Sequence, residues 1–139
     1  MLNDLFANTT IPVLEQVVNF SQARHNVLAG NVANMDTPGY KVRDLSVDTF
    51  QARLKEAVEA KHAGPKSQSP SEAAYKPSAA QAMEDVKESM KSILYHDDSN
   101  DGLDQQVAEI LKNQTQHNTA IAVMRSQFSL LQAAISERV

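Results

Sequence analysis

The sequence predicts an all-α protein, in which long N- and C-terminal helices pair as an antiparallel coiled coil with shorter helices and a Pro/Ser-rich loop between them. Three observations carry this. Leu103, Val107, Ile110, Gln114, His117, Ile121, Met124, Phe128, Leu131 and Ile135 alternate steps of four and three without a slip, the spacing of a helix that buries one stripe against another helix. Residues 13–35 carry two adjacent seams of the same period. Most Pro and Gly fall in two clusters, at 38–39 and at 64–77, which separate the helical stretches. The 139 residues suffice for a single domain spanning 1–139. Trp is absent and aromatics make up 5% of the chain, a thin supply of large apolar groups for a globular core.

The N-terminal helical segment takes in residues 1–36, with its regular helix from Pro12 to Asn34. Thr9 or Thr10 can cap it, and Pro12 suits a first turn, where a missing N–H costs nothing. Leu14, Val18, Ser21, His25, Leu28, Val32 and Met35 form one seam; Val13, Val17, Phe20, Arg24, Val27, Asn31 and Asn34 form the other. Together they make a face broader than a two-stranded coiled coil uses. Two readings stay open: a core-facing helix of a bundle, or a helix that touches several neighbours in an assembly.

Residues 37–45 form a turn segment. Thr37 precedes Pro38 and is pushed out of the α region, so the helix must stop by Asn34–Asp36. Pro38 presets the first corner of a β-turn and Gly39 accepts the positive φ of a type II second corner. Asn34 and Asp36 can cap free helix carbonyls, and Tyr40 starts a new direction. A second helix over 46–63 places Phe50, Leu54, Ala57 and Val58 on one face and ends at Ala63-Gly64-Pro65. Residues 64–78, with three Pro, several Ser and Lys, read as a loop. A third helix over 79–96 carries Met83, Val86, Met90, Ile93 and Leu94. Residues 97–103 form an acidic loop, and Asp104 caps a terminal helix over 104–139. That helix would extend roughly 50 Å. Its unbroken heptads argue for left-handed supercoiled pairing, with Gln114 and His117 as polar residues that fix register inside the seam.

Catalytic and ligand chemistry is not written in this chain. From Asp97, a calcium loop finds Ser99, Asp101 and Gly102 in place, but Asp104 and Ala108 stand where an apolar residue and the closing bidentate Glu belong. His25, His62, His96 and His117 lack metal-ligand spacing. There is no Gly-rich phosphate loop, nucleophile elbow or Cys. The expectation is a non-enzyme with no cofactor and no metal. The net charge of −4 gives no electrostatic reason for nucleic acid or an anionic membrane, and no small-molecule substrate is indicated. Met1-Leu2-Asn3-Asp4-Leu5-Phe6 lacks the basic and apolar regions of a cleaved secretory signal. On these grounds alone the chain reads as cytoplasmic, for example a coiled-coil adaptor or export chaperone, or a helical calcium sensor.

The string Asn31-Val32-Ala33-Asn34-x-x-Thr37-Pro38-Gly39-Tyr40 resembles the N-terminal signature of the flagellar basal-body rod, hook and hook-associated family. Lys41-Val42-Arg43-Asp44-Leu45 is most similar to its short proximal-rod branch. Leu103-Asp104, Asn113-Gln114, Asn118, Phe128-Ser129-Leu130-Leu131 and Ile135 are similar to the terminal helix of that branch. His117 departs from a common Tyr, and Gln105-Gln106 from common acidic residues. The resemblance covers roughly residues 10–45 and 100–138. It implies a structural subunit of the proximal rod, assembling by helix packing into the periplasm-crossing drive shaft for motility. Its partners would be copies of itself, other rod proteins, and FliE and export-gate components at the rod base. It also implies type III export without a cleaved signal peptide. Asn31, Ala33, Asn34, Thr37, Pro38, Gly39 and Tyr40 are then the motif residues, and the ten residues from Leu103 to Ile135 the assembly seam.

Overall fold

The computed structural model describes residues 9–62, 81, 84–86, 94–96 and 102–136. The order of elements is α1 (Ile11–Asn34), β1 (Arg43–Leu45), α2 (Val47–His62), β2 (Leu94–His96) and α3 (Leu103–Ser136); residues 81 and 84–86 are also helical. The chain forms two compact units, one from Met1–Leu45 with Tyr95–Val139 and the other from Ser46–Leu94.

In the first unit α1 and α3 pair antiparallel, as three side-chain contacts show: Asn31 meets Gln106, Arg24 meets Glu109, and Ser21 meets Asn113. Phe20 and Leu28 of α1 and Ala120 of α3 are buried with them. The helices are unequal, 24 and 34 residues, or about 36 and 51 Å at 1.5 Å per residue. With Ser21 opposite Asn113, Ile11 falls near Val123, so α3 runs on past the first residue of α1.

The helix ends follow local chemistry, with corrections to the sequence reading. α1 starts at Ile11, one residue before the expected Pro12; Thr9 and Thr10 lie in a bend and residues 1–8 lie outside the described residues. The Ile11 N–H donates to Thr9 Oγ1 at 3.3 Å, whereas the Thr10 side chain makes no capping bond. At the other end the Thr37 N–H donates to the Asn34 carbonyl at 2.9 Å, so Met35 and Asp36 belong to a turn rather than to the helix. Pro38 imposes this by excluding Thr37 from the α region. α3 starts at Leu103 because the Gly102 carbonyl accepts the N–H groups of Gln105 and Gln106. Asp104 therefore lies in the first turn and is not the cap; its charge still complements the positive helix end.

Residues 94–96 are a strand, where helix was expected through 96; they pair with β1 in a two-stranded sheet. That ladder depends on a partner about fifty residues away, which no local periodicity announces. The expected loop at 64–78, most of the third helix, the acidic residues 97–101 and residues 137–139 lie outside the described residues.

The second unit is described mainly through α2. Ser46 Oγ accepts the Thr49 N–H at 3.2 Å and lies 2.8 Å from Thr49 Oγ1, a side-chain N-cap. Asp48 in the first turn and Lys61 and His62 in the last oppose the helix dipole favourably. Phe50 and Ala57, seven residues apart, are buried, as is Val86. The outer face carries i,i+3 and i,i+4 ion pairs, Arg53–Glu56 at 3.7 Å and Lys55–Glu59 at 3.8 Å.

The largest correction concerns the phase of α3. The residues buried on it are Gln106, Asn113 and Ala120, seven apart. Ile110, His117, Met124 and Leu131, four of the ten residues of the expected seam, are half-buried beside them. Of the other six, Leu103, Val107, Gln114, Phe128 and Ile135 are exposed and Ile121 is half-buried. The cause lies on α1, whose inner face holds Gln16, Ser21, Arg24 and Asn31 buried. Buried polar groups need partners, and α3 turns the side that supplies them to Arg24, Asn31 and the Ser21 carbonyl.

Candidate assembly site

The signature segment builds its own interior. Asn31 is 0% exposed. Its Nδ2 donates to the Arg43 carbonyl at 2.6 Å and to Gln106 Oε1 at 3.2 Å. Its Oδ1 accepts the Arg43 N–H and the Tyr40 hydroxyl, each at 3.1 Å. Two donors and two lone pairs are all that a primary amide offers, so Asn31 is saturated. It joins α1, the chain after the turn, and α3 at one point.

The turn makes this closure possible. The Tyr40 N–H donates to the Thr37 carbonyl at 3.1 Å, and Gly39 has φ 77°, the left-handed value that a type II turn needs at its second corner. The chain reverses, and the Tyr40 hydroxyl comes back to Asn31. The Arg43 guanidinium sits 5.9 Å from the Tyr40 ring centroid, within cation–π range. Asn34 Nδ2 donates to the Gly30 carbonyl at 2.7 Å. The motif thus divides by task. Asn31 and Tyr40 make the joint and Asn34 holds the helix end. Ala33, Thr37, Pro38 and Gly39 lie at the surface.

A second joint lies one heptad back on α1. Arg24, 4% exposed, donates from Nε and Nη2 to the two Asp44 oxygens at 2.9 and 2.6 Å, and from Nη2 to Glu109 Oε2 at 2.8 Å. Bidentate geometry makes this a strong charge-assisted pair. The Asp44 hydrogen bond raises the Arg24 pKa far above its usual value despite burial. The Arg24 hydrogen bond lowers the Glu109 carboxyl against the opposing effect of burial, and Lys112 at 3.7 Å adds to the lowering. A third contact closes the row: Asn113 Nδ2 donates to the Ser21 carbonyl at 2.8 Å. Sequence reasoning missed Arg24, Asp44, Gln106, Glu109 and Asn113 as site residues. The available signal was the polar residues Arg24 and Asn31 seven apart within an apolar seam.

The outward face of α3 is different in kind. Leu111 is 63% exposed, Leu130 61% and Ile135 62%, with Leu103, Val107, Val123 and Phe128 also exposed. The helix has only four charged residues, Asp104, Glu109, Lys112 and Arg125, against six in the much shorter α2. Polar groups between the apolar ones bond within the helix: Thr115 Oγ1 to the Leu111 carbonyl, Thr119 Oγ1 to the Thr115 carbonyl, and Gln114 Nε2 to Asn118 Oδ1. Such a face can enter a packed interface at little desolvation cost. His25 and His117 are half-buried on separate helices. Among the described residues no three His, Cys, Asp or Glu side chains form a metal-holding group, and no helix is long and apolar enough to cross a membrane.

The family-model match covers the α1 side of these joints and the turn. The family model described as flagella basal body rod protein matches residues 19–41, from the middle of α1 through the turn. The chain is 50% identical over 42 residues to the flagellar basal body rod protein FlgB of Aquifex aeolicus, a match covering 30% of this chain and 32% of that one. It is 40% identical over 45 residues to FlgB of Escherichia coli, covering 32% and 30%. It is 39% identical over 44 residues to FlgB of Salmonella typhimurium, with the same coverages of 32% and 30%. Each match spans about a third of the relative's own length. No solved structure is significantly similar to the chain. The resemblance to the basal-body rod proteins read from residues 31–40 is upheld, and within that family it points to FlgB.

Proposed function

We propose that this chain is a FlgB-type structural subunit of the flagellar basal-body rod and that it assembles by helix packing. The observation that carries the reading is the Asn31 joint. The segment shared with the rod proteins, residues 19–41, supplies Asn31, Arg24 and Tyr40. These side chains hold α1, the turn and α3 in one arrangement. That arrangement leaves the sparsely charged, apolar side of α3 outward. Neighbouring subunits cover it, and contacts that repeat without closing generate a helical tube. A tube serves as a drive shaft through the periplasm with room for a central channel.

The partners that follow are copies of this chain, other rod proteins, and FliE with export-gate components at the rod base. The chain reaches that place through the flagellar type III exporter. A cytoplasmic coiled-coil adaptor or export chaperone would share the helix pair but would have no use for the saturated joint behind the turn.

Substitution on the outer face tests the proposal. Leu111→Asp and Leu130→Asp change exposed residues, so the helical content of the purified chain stays at the parent level. Both variants lose motility and fail to enter basal bodies, because an unpaired charge is strongly unfavourable in a packed interface. Lys55→Ala, on the charged face of α2, swims normally. Parent-level swimming by both Leu variants at equal expression would contradict helix packing through α3.

A further inference from the structure

We infer that the polar contacts between α1 and α3 are a register key: Arg24 and Asn31 select the one heptad alignment of α3 in which Glu109 and Gln106 face them. The inference concerns this chain's own fold and does not depend on the rod reading.

An apolar seam alone cannot fix that alignment. On α3 the half-buried residues Ile110, His117, Met124 and Leu131 repeat every seven positions. Sliding the helix by one heptad moves it about 10 Å and returns a similar surface to α1. The polar residues repeat only in part: Gln106 and Asn113 are both amides, but Glu109 has no acid seven positions to either side. If α3 slides so that residue 116 faces Arg24, a glutamine replaces Glu109, and Ala120 replaces the Asn113 amide that bonds the Ser21 carbonyl. If it slides the other way, Gly102 faces Arg24 and the place of Gln106 falls before the first residue of α3. Glu109 and Asp104 are the only acids on α3, so a single alignment gives the buried Arg24 its second carboxylate, at 2.8 Å. Arg24 is 4% and Asn31 0% exposed, and at such depth a missing partner is costly. Buried polar residues within apolar helix interfaces are known to specify register in this way. The key also decides which stretch of α3 extends beyond α1.

Distance measurement between spin labels tests this in the full chain, which has no cysteine of its own. Labels at Gln22→Cys and Ser129→Cys, both exposed positions, lie far apart along the helix axis, so a slip changes their separation directly. The parent gives one narrow distance. Transposing the acid by a heptad, with Glu109→Gln and Gln116→Glu, conserves composition and charge and adds a population shorter by about 10 Å. A second variant, Gln106→Leu with Glu109→Met and Asn113→Leu, keeps parent helicity by circular dichroism while its distance distribution splits. A broad distribution in the parent overturns the inference. So does the parent's single distance retained in both variants.

Discussion

At the residue scale the fold turns on one amide. Asn31 serves four bonds at once, and its removal leaves the Tyr40 hydroxyl, Gln106 and two Arg43 backbone groups short of a partner. Asn31→Ala should therefore cost about 2–4 kcal/mol in urea unfolding, whereas Tyr40→Phe, which deletes one partner, should cost about 0.5–1.5 kcal/mol. The two glycines that frame this region should behave oppositely. A Cβ at Gly39 meets nothing within 4 Å, yet φ is +77°, so Gly39→Ala should destabilise by about 1–2 kcal/mol through the backbone alone. Gly30 lies inside α1 with equally open space, and Gly30→Ala should stabilise by about 0.5–1 kcal/mol. Glu109 adds a pH signature. Its pKa is lowered in the folded state, so its contribution is complete above the ordinary glutamate value of roughly 4.3 and is lost as pH falls through the lowered one. Stability against pH should drop more steeply on the acid side in the parent than in Glu109→Gln; superimposable curves would show that the Arg24–Glu109 bond contributes nothing.

At the scale of elements, period was legible in the sequence and phase was not. The four-and-three spacing from Leu103 to Ile135 gave α3 as one long helix. It then assigned the inside to Val107, Gln114 and Phe128 because they lie on the most apolar line. The helix instead buries Gln106 and Asn113, since α1 presents Arg24 and Asn31 and their partners must come from α3. A pattern confined to one helix cannot carry a requirement set by another. The turn at 37–40 was readable for the opposite reason: Pro38 and Gly39 fix backbone angles without outside help. The strand at 94–96 was not, since its pairing with Arg43–Leu45 is non-local. Local chemistry also makes the start of α2 testable. Ser46→Ala removes the acceptor of the Thr49 N–H and should cost about 1 kcal/mol, read as a loss of thermal stability.

At the scale of the molecule, the helix pair is held by a short row of polar joints from Ser21 to Asn31 on α1 and from Gln106 to Asn113 on α3. Outside that row α3 offers a long face with few charges. Amide hydrogen exchange in the isolated chain should be slowest at those two stretches and fastest toward Ser136, where α3 has run past the start of α1. Incorporation among neighbours would then slow the exchange at the far end most. The measurement that bears most directly on the rod assignment is the structure of basal bodies purified from cells lacking this chain. The account predicts non-motile cells whose basal bodies have no rod, restored by the parent gene and not by Leu130→Asp. Intact rods and swimming cells in the absence of the chain would contradict it.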